Sequence, residues 1–565
     1  MQQVSTIDIQ SKMKTKASTR GPQPAKARQA ISRQGVAIAL LAAISLTLSA
    51  CSGGDETPGV AGSASSPGTD GTTKAPKSWA SFPKLSQQVG APGQDAEYQA
   101  GDAAIQRLGT SLSAVAAWYG MSPDETKALL KQDRDLYVSK DGRLVYRDHA
   151  ELDSAPLPAS RKLLRSLSLH AEQDDSGVTD AFKLHSRPDS KRKIYLNFVG
   201  GPLSFTPDFL VANLTAYDTD GNPSSFSAQE AKEIREIFER VSEDFAPLDV
   251  DVTTERPSRD ALIRSTADDE EYGVEAFITK DWNNLGTGGQ APLGTFDTIV
   301  PASMAFETYE YNHSAFVHYD NLNPSDPADR PAVIADAISH EVGHTLGLHH
   351  QSYQGSAAFY EYYPGDGRSS WLPLMSQHPG FIRRVTTWAK GDYLNATNKE
   401  DAIAIMQTHG LLLVLDDHGD TFDKASALVW KTLADGRTEA TSQGLVSSSQ
   451  DRDVFRVEVG DGPLVIRADP ADVGPNLNIQ LSLYNSAGVL IQTAKGLQLP
   501  DDPLSATINI SQVAAGSYFV KVEGLGRGSP LALDPNVGLA WGYTNYGSLG
   551  RFKLRLEANK PIPAA

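Results

Sequence analysis

The residues with the clearest capacity for chemistry lie within one short run, His340-Glu341-Val342-Gly343-His344-Thr345-Leu346-Gly347-Leu348-His349-His350, which holds four of the chain's twelve histidines. His340 and His344 are four positions apart, so on a helix they project from one face a turn apart. Both imidazoles could then reach a single Zn²⁺ at about 2.0–2.1 Å. Gly347 suits a left-handed helix stop, after which the chain can turn back and bring His350 to the same metal as a third ligand. Three protein ligands leave one position for water. Glu341, beside the first ligand, can take the proton of that water and later deliver it to a leaving amine. His349 is expected to point away, because the spacing after the glycine turn favours His350. Zn²⁺ is therefore the expected cofactor, with structural Ca²⁺ a second candidate cation to which the sequence assigns no residues.

These groups need rigid elements to hold them. A helix is expected over 332–346, opened by Pro331 in its first turn and ended by Gly347. Upstream, a strand over 193–199, a helix over 227–245 with Ala231, Ile234, Ile237, Phe238 and Val241 on one face, and an alternating strand over 248–253 suggest a sheet with a crossover helix. Nearer the N-terminus, Ile105, Leu108, Leu112, Val115 and Tyr119 recur at helical spacing, interrupted by Gly109. Ser122-Pro-Asp-Glu125 reads as a capping box opening a second helix. Leu136-Tyr-Val138 and Leu144-Val-Tyr146 around Asp141-Gly142 read as a hairpin. Beyond residue 416, seven short alternating runs (454–459, 464–468, 479–484, 489–493, 506–510, 518–522 and 552–556) with Gly, Pro, Asp and Asn between them indicate a β-sandwich.

The pattern His340, Glu341, His344, Gly347, His350 resembles the signature of the metzincin clan of zinc endopeptidases. Pro373-Leu-Met375-Ser376 is similar to the clan's methionine turn, which implies Met375 as an apolar base under the histidines. The resemblance covers about residues 190–410 and implies an upper subdomain with a twisted mixed sheet and two helices, then a short lower one. Gly288-Gly289 and the following Ala291-Pro-Leu-Gly294 lie either at a cleft edge where a substrate strand pairs or in a loop without that role. Gln377 stands where some branches of the clan carry an oxyanion-assisting tyrosine, so that aid is expected to be absent. A cysteine-based latency switch is excluded, because the chain's one cysteine is Cys51. If residues 79–190 keep a precursor inactive, a carboxylate such as Asp102 is the candidate. Asp451-Arg-Asp-Val-Phe455, Gly516-Ser-Tyr-Phe-Val520 and Trp541-Gly-Tyr-Thr-Asn-Tyr-Gly547 resemble the bacterial pre-peptidase C-terminal domain, a β-sandwich appended to secreted peptidases. There is no Gly-x-Ser-x-Gly elbow and no phosphate-loop lysine motif.

At 565 residues the chain exceeds one hydrophobic core. Its net charge of −18 argues against a protein that clamps nucleic acid over a broad surface, and one cysteine excludes a disulfide framework. Seven Lys/Arg within residues 1–33 lead into an apolar run over 36–50, which reads as an export signal. Leu48-Ser-Ala-Cys51 resembles the bacterial lipobox, implying acylation of Cys51 and a cell-envelope lipoprotein at the outer membrane or surface. Loss of residues 1–50, with their net +6, leaves −24. The expected organisation is multidomain: signal 1–50; flexible Gly/Ser/Thr/Pro-rich tether 51–78; small N-terminal domain or pro-segment 79–190; α+β metzincin-like catalytic domain 191–412 with a mixed sheet and an active-site helix; and an all-β sandwich 413–560. The expected function is an exported zinc endopeptidase acting on protein or peptide, held to the membrane by its lipid and released if cut near residue 190. The alternative is a lipid-anchored binding or adhesion protein with a structural or vestigial zinc site.

Overall fold

The computed structural model describes residues 75–85, 97–149 and 178–558, apart from 207–208, 283, 302–311, 325, 357, 367, 370, 377–384, 435–437, 497–502 and 536–537. The expected signal, Cys51, most of the tether and Gln377 lie outside the described residues.

The described chain opens with β1 (Tyr98–Ala100), α1 (Gly101–Leu108), α2 (Leu112–Tyr119), α3 (Pro123–Gln132), β2 (Leu136–Ser139) and β3 (Leu144–His149). The helical run expected through residues 105–119 is divided. Gly109 adopts φ 46° and ψ −124°, a combination open to glycine, and the 3-10 turn Gly109–Ser111 re-aims α2. Ser122 and Glu125 form the full capping box of α3. Gly142, at φ 89°, lies in the tight connection between β2 and β3.

There follow β4 (Arg192–Asn197), β5 (Gly201–Thr206), β6 (Phe209–Leu214), α4 (Ala228–Asp244), β7 (Asp251–Thr253), β8 (Tyr272–Thr279), β9 (Thr287–Pro292), β10 (Ala315–His318), α5 (Arg330–Thr345) and α6 (Ala402–Thr408). One mixed sheet of eight strands runs β1-β2-β3-β9-β10-β8-β4-β7. β10, β8, β4 and β7 are parallel neighbours, with α4 as the crossover from β4 to β7, while β9 is antiparallel to both β10 and β3. Strands β1–β3, within residues 98–149, therefore share a sheet with β4 and β7–β10: β3 lies along the edge of β9 in the register Val145↔Pro292, Arg147↔Gln290, Asp148↔Gly289.

α5 packs beneath β9 and β10 and beside α4. Every residue from Ala337 to Thr345 on it is buried, so each polar side chain there needs a partner inside the protein. Ser339 donates to Asp244 Oδ2 at 2.6 Å, and Asn476 of the C-terminal region donates to Asp244 Oδ1 at 2.8 Å.

Residues beyond 425 form two five-stranded sheets. All seven expected strands are present, among them Arg452–Val459, Gly516–Gly524 and Gly550–Ala558. Thr438–Val446 is a further strand that alternation did not disclose, since its Glu, Ala, Ser, Gln and Gly carry weak β preference. It is imposed by a nine-residue antiparallel pairing with Gly550–Ala558. The chain is thus a mixed α/β protein rich in sheets, with few helices and a sandwich-like C-terminal part. Among the described residues no helix is long and apolar enough to cross a membrane.

The junction of α4 with this sandwich contains Glu243, 2% exposed, whose carboxylate accepts from the Arg551 backbone N at 2.9 Å and from Arg551 Nη1 at 3.0 Å. Burial raises its pKa to about 7 against the partial offset from Arg551. Between the ordinary carboxylate value and about 7, the folded state holds a proton that the unfolded chain has released. Stability should therefore fall as pH rises through that window. Urea unfolding at pH 5 and pH 8 should differ by on the order of 2–3 kcal/mol more in the native protein than in Glu243→Gln. Equal differences would exclude Glu243 as the source.

Candidate metal centre

Gly347, at φ 88°, ends α5 as expected; Leu348 N bonds back to Gly343 O at 3.0 Å and the chain reverses toward the helix. That reversal brings His350 to the face bearing His340 and His344. The three Nε2 atoms converge, with His344 Nε2 3.1 Å from that of His340 and 3.2 Å from that of His350. The opposite nitrogens fix the rings. His340 Nδ1 donates to Leu374 O at 2.7 Å, His344 Nδ1 donates to Leu348 O at 2.7 Å, and His350 Nδ1 faces Asp133 Oδ2 at 2.9 Å. A carbonyl can only accept, so His340 and His344 carry their protons on Nδ1 and turn Nε2 lone pairs toward each other.

A fourth group completes the set. Asp148, on β3, places Oδ2 3.0 Å from His340 Nε2 and 3.4 Å from His344 Nε2, with Oδ1 3.3 Å from His350 Nε2. Both oxygens are buried and have no hydrogen-bond partner. Convergent imidazole lone pairs and a carboxylate sealed from water repel one another unless a proton or a cation lies between them. Asp148, His340, His344 and His350 thus form a buried cluster able to hold a metal ion.

The electrostatics follow from burial and from Asp148. Burial drives His344 down to about 3. Burial also opposes charge on His350, but Asp133 and Asp148 outweigh it and hold its pKa well above the ordinary value. Glu341 is pushed well above the carboxylate range, chiefly by burial and then by Asp148 and Asp135. Its Oε2 is buried without a partner. Its Oε1 lies so close to Gly289 that a Cβ there would fall 1.9 Å from it, so glycine at 289 is what admits the carboxylate. A small cavity of about 10 Å³, bounded by Asp148, Gly288, Gly289, Val333, Ala337, His340 and Glu341, adjoins it, about the room one water needs.

The other expected residues fall as follows. Met375 packs against Gly343, where a Cβ would lie 2.6 Å from its sulfur, and the same 3-10 turn, Leu374–Ser376, supplies the carbonyl that orients His340. His349 faces away, with Nδ1 2.7 Å from Glu400 Oε1. Gly288-Gly289 lies on β9, a strand that does pair along its edge, and the strand it pairs with is the chain's own β3. Asp102 does not approach the histidines: it is on the surface beside Lys131 at 3.0 Å, its side chain 86% exposed. The carboxylate among the histidines is Asp148, because the β3 register with β9 carries it there.

The sequence reading also missed Asp133, Asp135, Tyr146 and Tyr362. Tyr146 stacks on His344 with ring centroids 3.8 Å apart, and Tyr362 lies 4.3 Å from the His350 ring with its hydroxyl donating to Asp135 at 2.8 Å. One signal was present: Tyr146 and Asp148 are two apart on a strand and so share a face. Nothing local says which face meets a helix two hundred residues later.

No family model matches the chain, and no curated protein matches it. Among solved structures it is similar to the pre-peptidase C-terminal domain of a collagenase from Bacillus anthracis, at 12% identity and a TM-score of 0.14 over 20% of this chain and 86% of that one. It is likewise similar to PliG, a periplasmic inhibitor of g-type lysozyme from Aeromonas hydrophila, at 12% identity and a TM-score of 0.15 over 24% and 94%. A family 6 carbohydrate-binding module from Clostridium cellulolyticum gives 20% identity and a TM-score of 0.11 over 24% and 86%. Likenesses at these scores carry no argument about what the chain does, and the sandwich rests on its own sheet order.

The contact of His350 with Asp133 makes a direct expectation. Asp133→Asn should weaken metal-ion binding about 10–100-fold, read with Zn²⁺ as the probe ion in competition with a chromophoric chelator, while Asp102→Asn leaves it unchanged. Equal affinities in both variants would remove Asp133 from the centre.

Proposed function

We propose that the chain is an exported zinc-dependent endopeptidase of the metzincin type, acting on protein or peptide substrates and anchored through an acylated Cys51. The observation that carries this reading is the convergence of three Nδ1-oriented histidines, His340, His344 and His350, with the buried Glu341 beside them. Zinc is the favoured ion because tetrahedral bonds of about 2.0–2.1 Å separate ligand atoms by about 3.3 Å. His344 lies 3.1 and 3.2 Å from the other two histidine nitrogens, and Asp148 approaches the three within 3.0 to 3.4 Å, through Oδ2 toward His340 and His344 and Oδ1 toward His350.

Zinc bound there would polarise the scissile carbonyl and make the attacking water more acidic. Glu341 would accept the proton of that water on Oε2, its basicity raised by exclusion of solvent, and then donate it to the leaving amine. The backbone of β9 would align an extended substrate strand, the place β3 takes in this structure. Asp148 belongs to the same obstruction, since its carboxylate fills the position that water would use. The intact chain is accordingly read as a latent form, opened by displacement or cleavage of residues 98–149. Nucleic acid is an unsuitable partner for so acidic a chain.

One observation favours the alternative, a binding or adhesion lipoprotein with a structural ion: four protein ligands close the site, as structural zinc sites do. Two substitutions separate the readings. Glu341→Gln should retain zinc and lose at least about 10³-fold in hydrolysis of an unfolded protein substrate by the N-terminally processed form. Asp148→Ala should raise activity of the unprocessed chain; loss of zinc and stability with no gained hydrolysis would instead support the structural reading.

A further inference from the structure

The C-terminal part carries a loop whose apolar side chains face outward. Between the paired strands Arg527–Ser529 and Trp541–Tyr543, Leu531, Leu533 and Leu539 are 58%, 63% and 56% exposed. Leu394, 38% exposed, adjoins them, its backbone N donating to Pro530 O at 2.9 Å. Single exposed leucines are ordinary. Several gathered on one loop and its neighbour form an apolar patch that marks a surface of interaction.

The base of the loop is fixed to the protein. Arg527, 5% exposed, donates from Nη1 to Ser369 O at 2.9 Å, Gly542 N donates to Asp366 Oδ2 at 2.5 Å, and the Tyr543 ring stacks on Trp371 at 5.6 Å. Within the loop Asp534 N donates to Leu539 O at 3.0 Å, Gly538 N to Asp534 O at 2.7 Å and Ser529 Oγ to Ala532 O at 3.0 Å, while Pro530 and Pro535 have no N–H to satisfy. The Trp541 indole donates from Nε1 to Asp534 Oδ2 at 2.9 Å, and the Arg368 guanidinium lies over its ring at 5.4 Å. Polar groups engaged in this way lose little on leaving water, which is the condition a segment must meet to enter an apolar phase.

Composition decides between a lipid and a protein as the occupant. Protein partners are held chiefly by Trp, Tyr and Arg seated in pockets, and leucine is under-represented at such points. Here the exposed tip is aliphatic, while the tryptophan and the arginine stand at its base, the order in which side chains meet a bilayer from hydrocarbon to headgroup. We infer that the loop bearing Leu531, Leu533 and Leu539 inserts into the surface of a lipid bilayer, with Trp541 and Arg368 at headgroup level. The chain's acidic balance offers no attraction to anionic lipid, so apolar burial carries the docking and zwitterionic lipid suffices. The inference is independent of the peptidase reading. An acylated Cys51, about 24 residues before the first described one, would leave every face of the protein within about 85 Å of the membrane, and the loop would select the face that meets it.

The test uses the chain from residue 51 onward, which retains every described residue, with Cys51→Ser so that no acyl group contributes and no cysteine remains. It should co-sediment with phosphatidylcholine vesicles equally well at about 0.1 M and about 1 M salt. Leu531→Ser/Leu533→Ser/Leu539→Ser, at exposed positions that should leave folding intact, should lower partition into the vesicles at least about tenfold. A polarity-sensitive dye on Leu533→Cys should shift to the blue when vesicles are added, whereas the same dye on Leu415→Cys, at a position 93% exposed, should not. No binding to vesicles, binding abolished by salt, unchanged partition of the triple variant, or equal dye shifts at both positions overturns the assignment.

Discussion

A lone pair buried away from water must meet a proton or a cation, and at the C-terminal half of α5 several lone pairs meet one another instead. His340 and His344 spend their only protons on main-chain carbonyls, so their other nitrogens face inward as acceptors. The carbonyls come from the turn at Leu374 and the reversal at Leu348, which makes the 3-10 turn Leu374–Ser376 and the Gly347 stop parts of one device. Gly343 and Gly289 serve the same constraint by omission of a side chain: one lets Met375 lie against the helix, the other leaves room for Glu341.

The N-terminal hairpin changes the character of that centre. β3 adds a strand along the edge of β9, and the strand alternation that turns Tyr146 onto His344 also turns Asp148 among the three nitrogens. Sheet register and the geometry of the His/Asp cluster are thereby coupled, since a slip of one residue would turn both side chains to the opposite face. Asp133 and Asp135, which join α3 to β2, add a carboxylate to His350 and another to His149 and Tyr362. The hairpin is held at the centre by polar contacts as well as by strand pairing.

Similar electrostatic logic recurs at the sandwich. Its junction with α4 buries Glu243 and Asp244 against Arg551, Asn476 and Ser339, and its leading edge gathers the acids around Asp453. In both places carboxylates are withdrawn from water where two parts of the chain meet. The acidic balance of the sequence is thus concentrated in part at internal junctions as well as spread over the surface.

Local signals were legible where a residue's role depends on its neighbours in the chain. The four-residue spacing of His340 and His344, the stop at Gly347, the capping box at Ser122 and the seven alternating strands all follow from local spacing along the chain, which sequence records directly. What alternation could not disclose was Thr438–Val446, a strand made by its partner, and the place of Asp148, which is brought to His340 by the pairing of β3 with β9. By itself the sequence determined which groups could bind a cation. Only the tertiary structure decided which carboxylate stands among them, because that choice is made by sheet register between segments about 140 residues apart, and no local propensity encodes it.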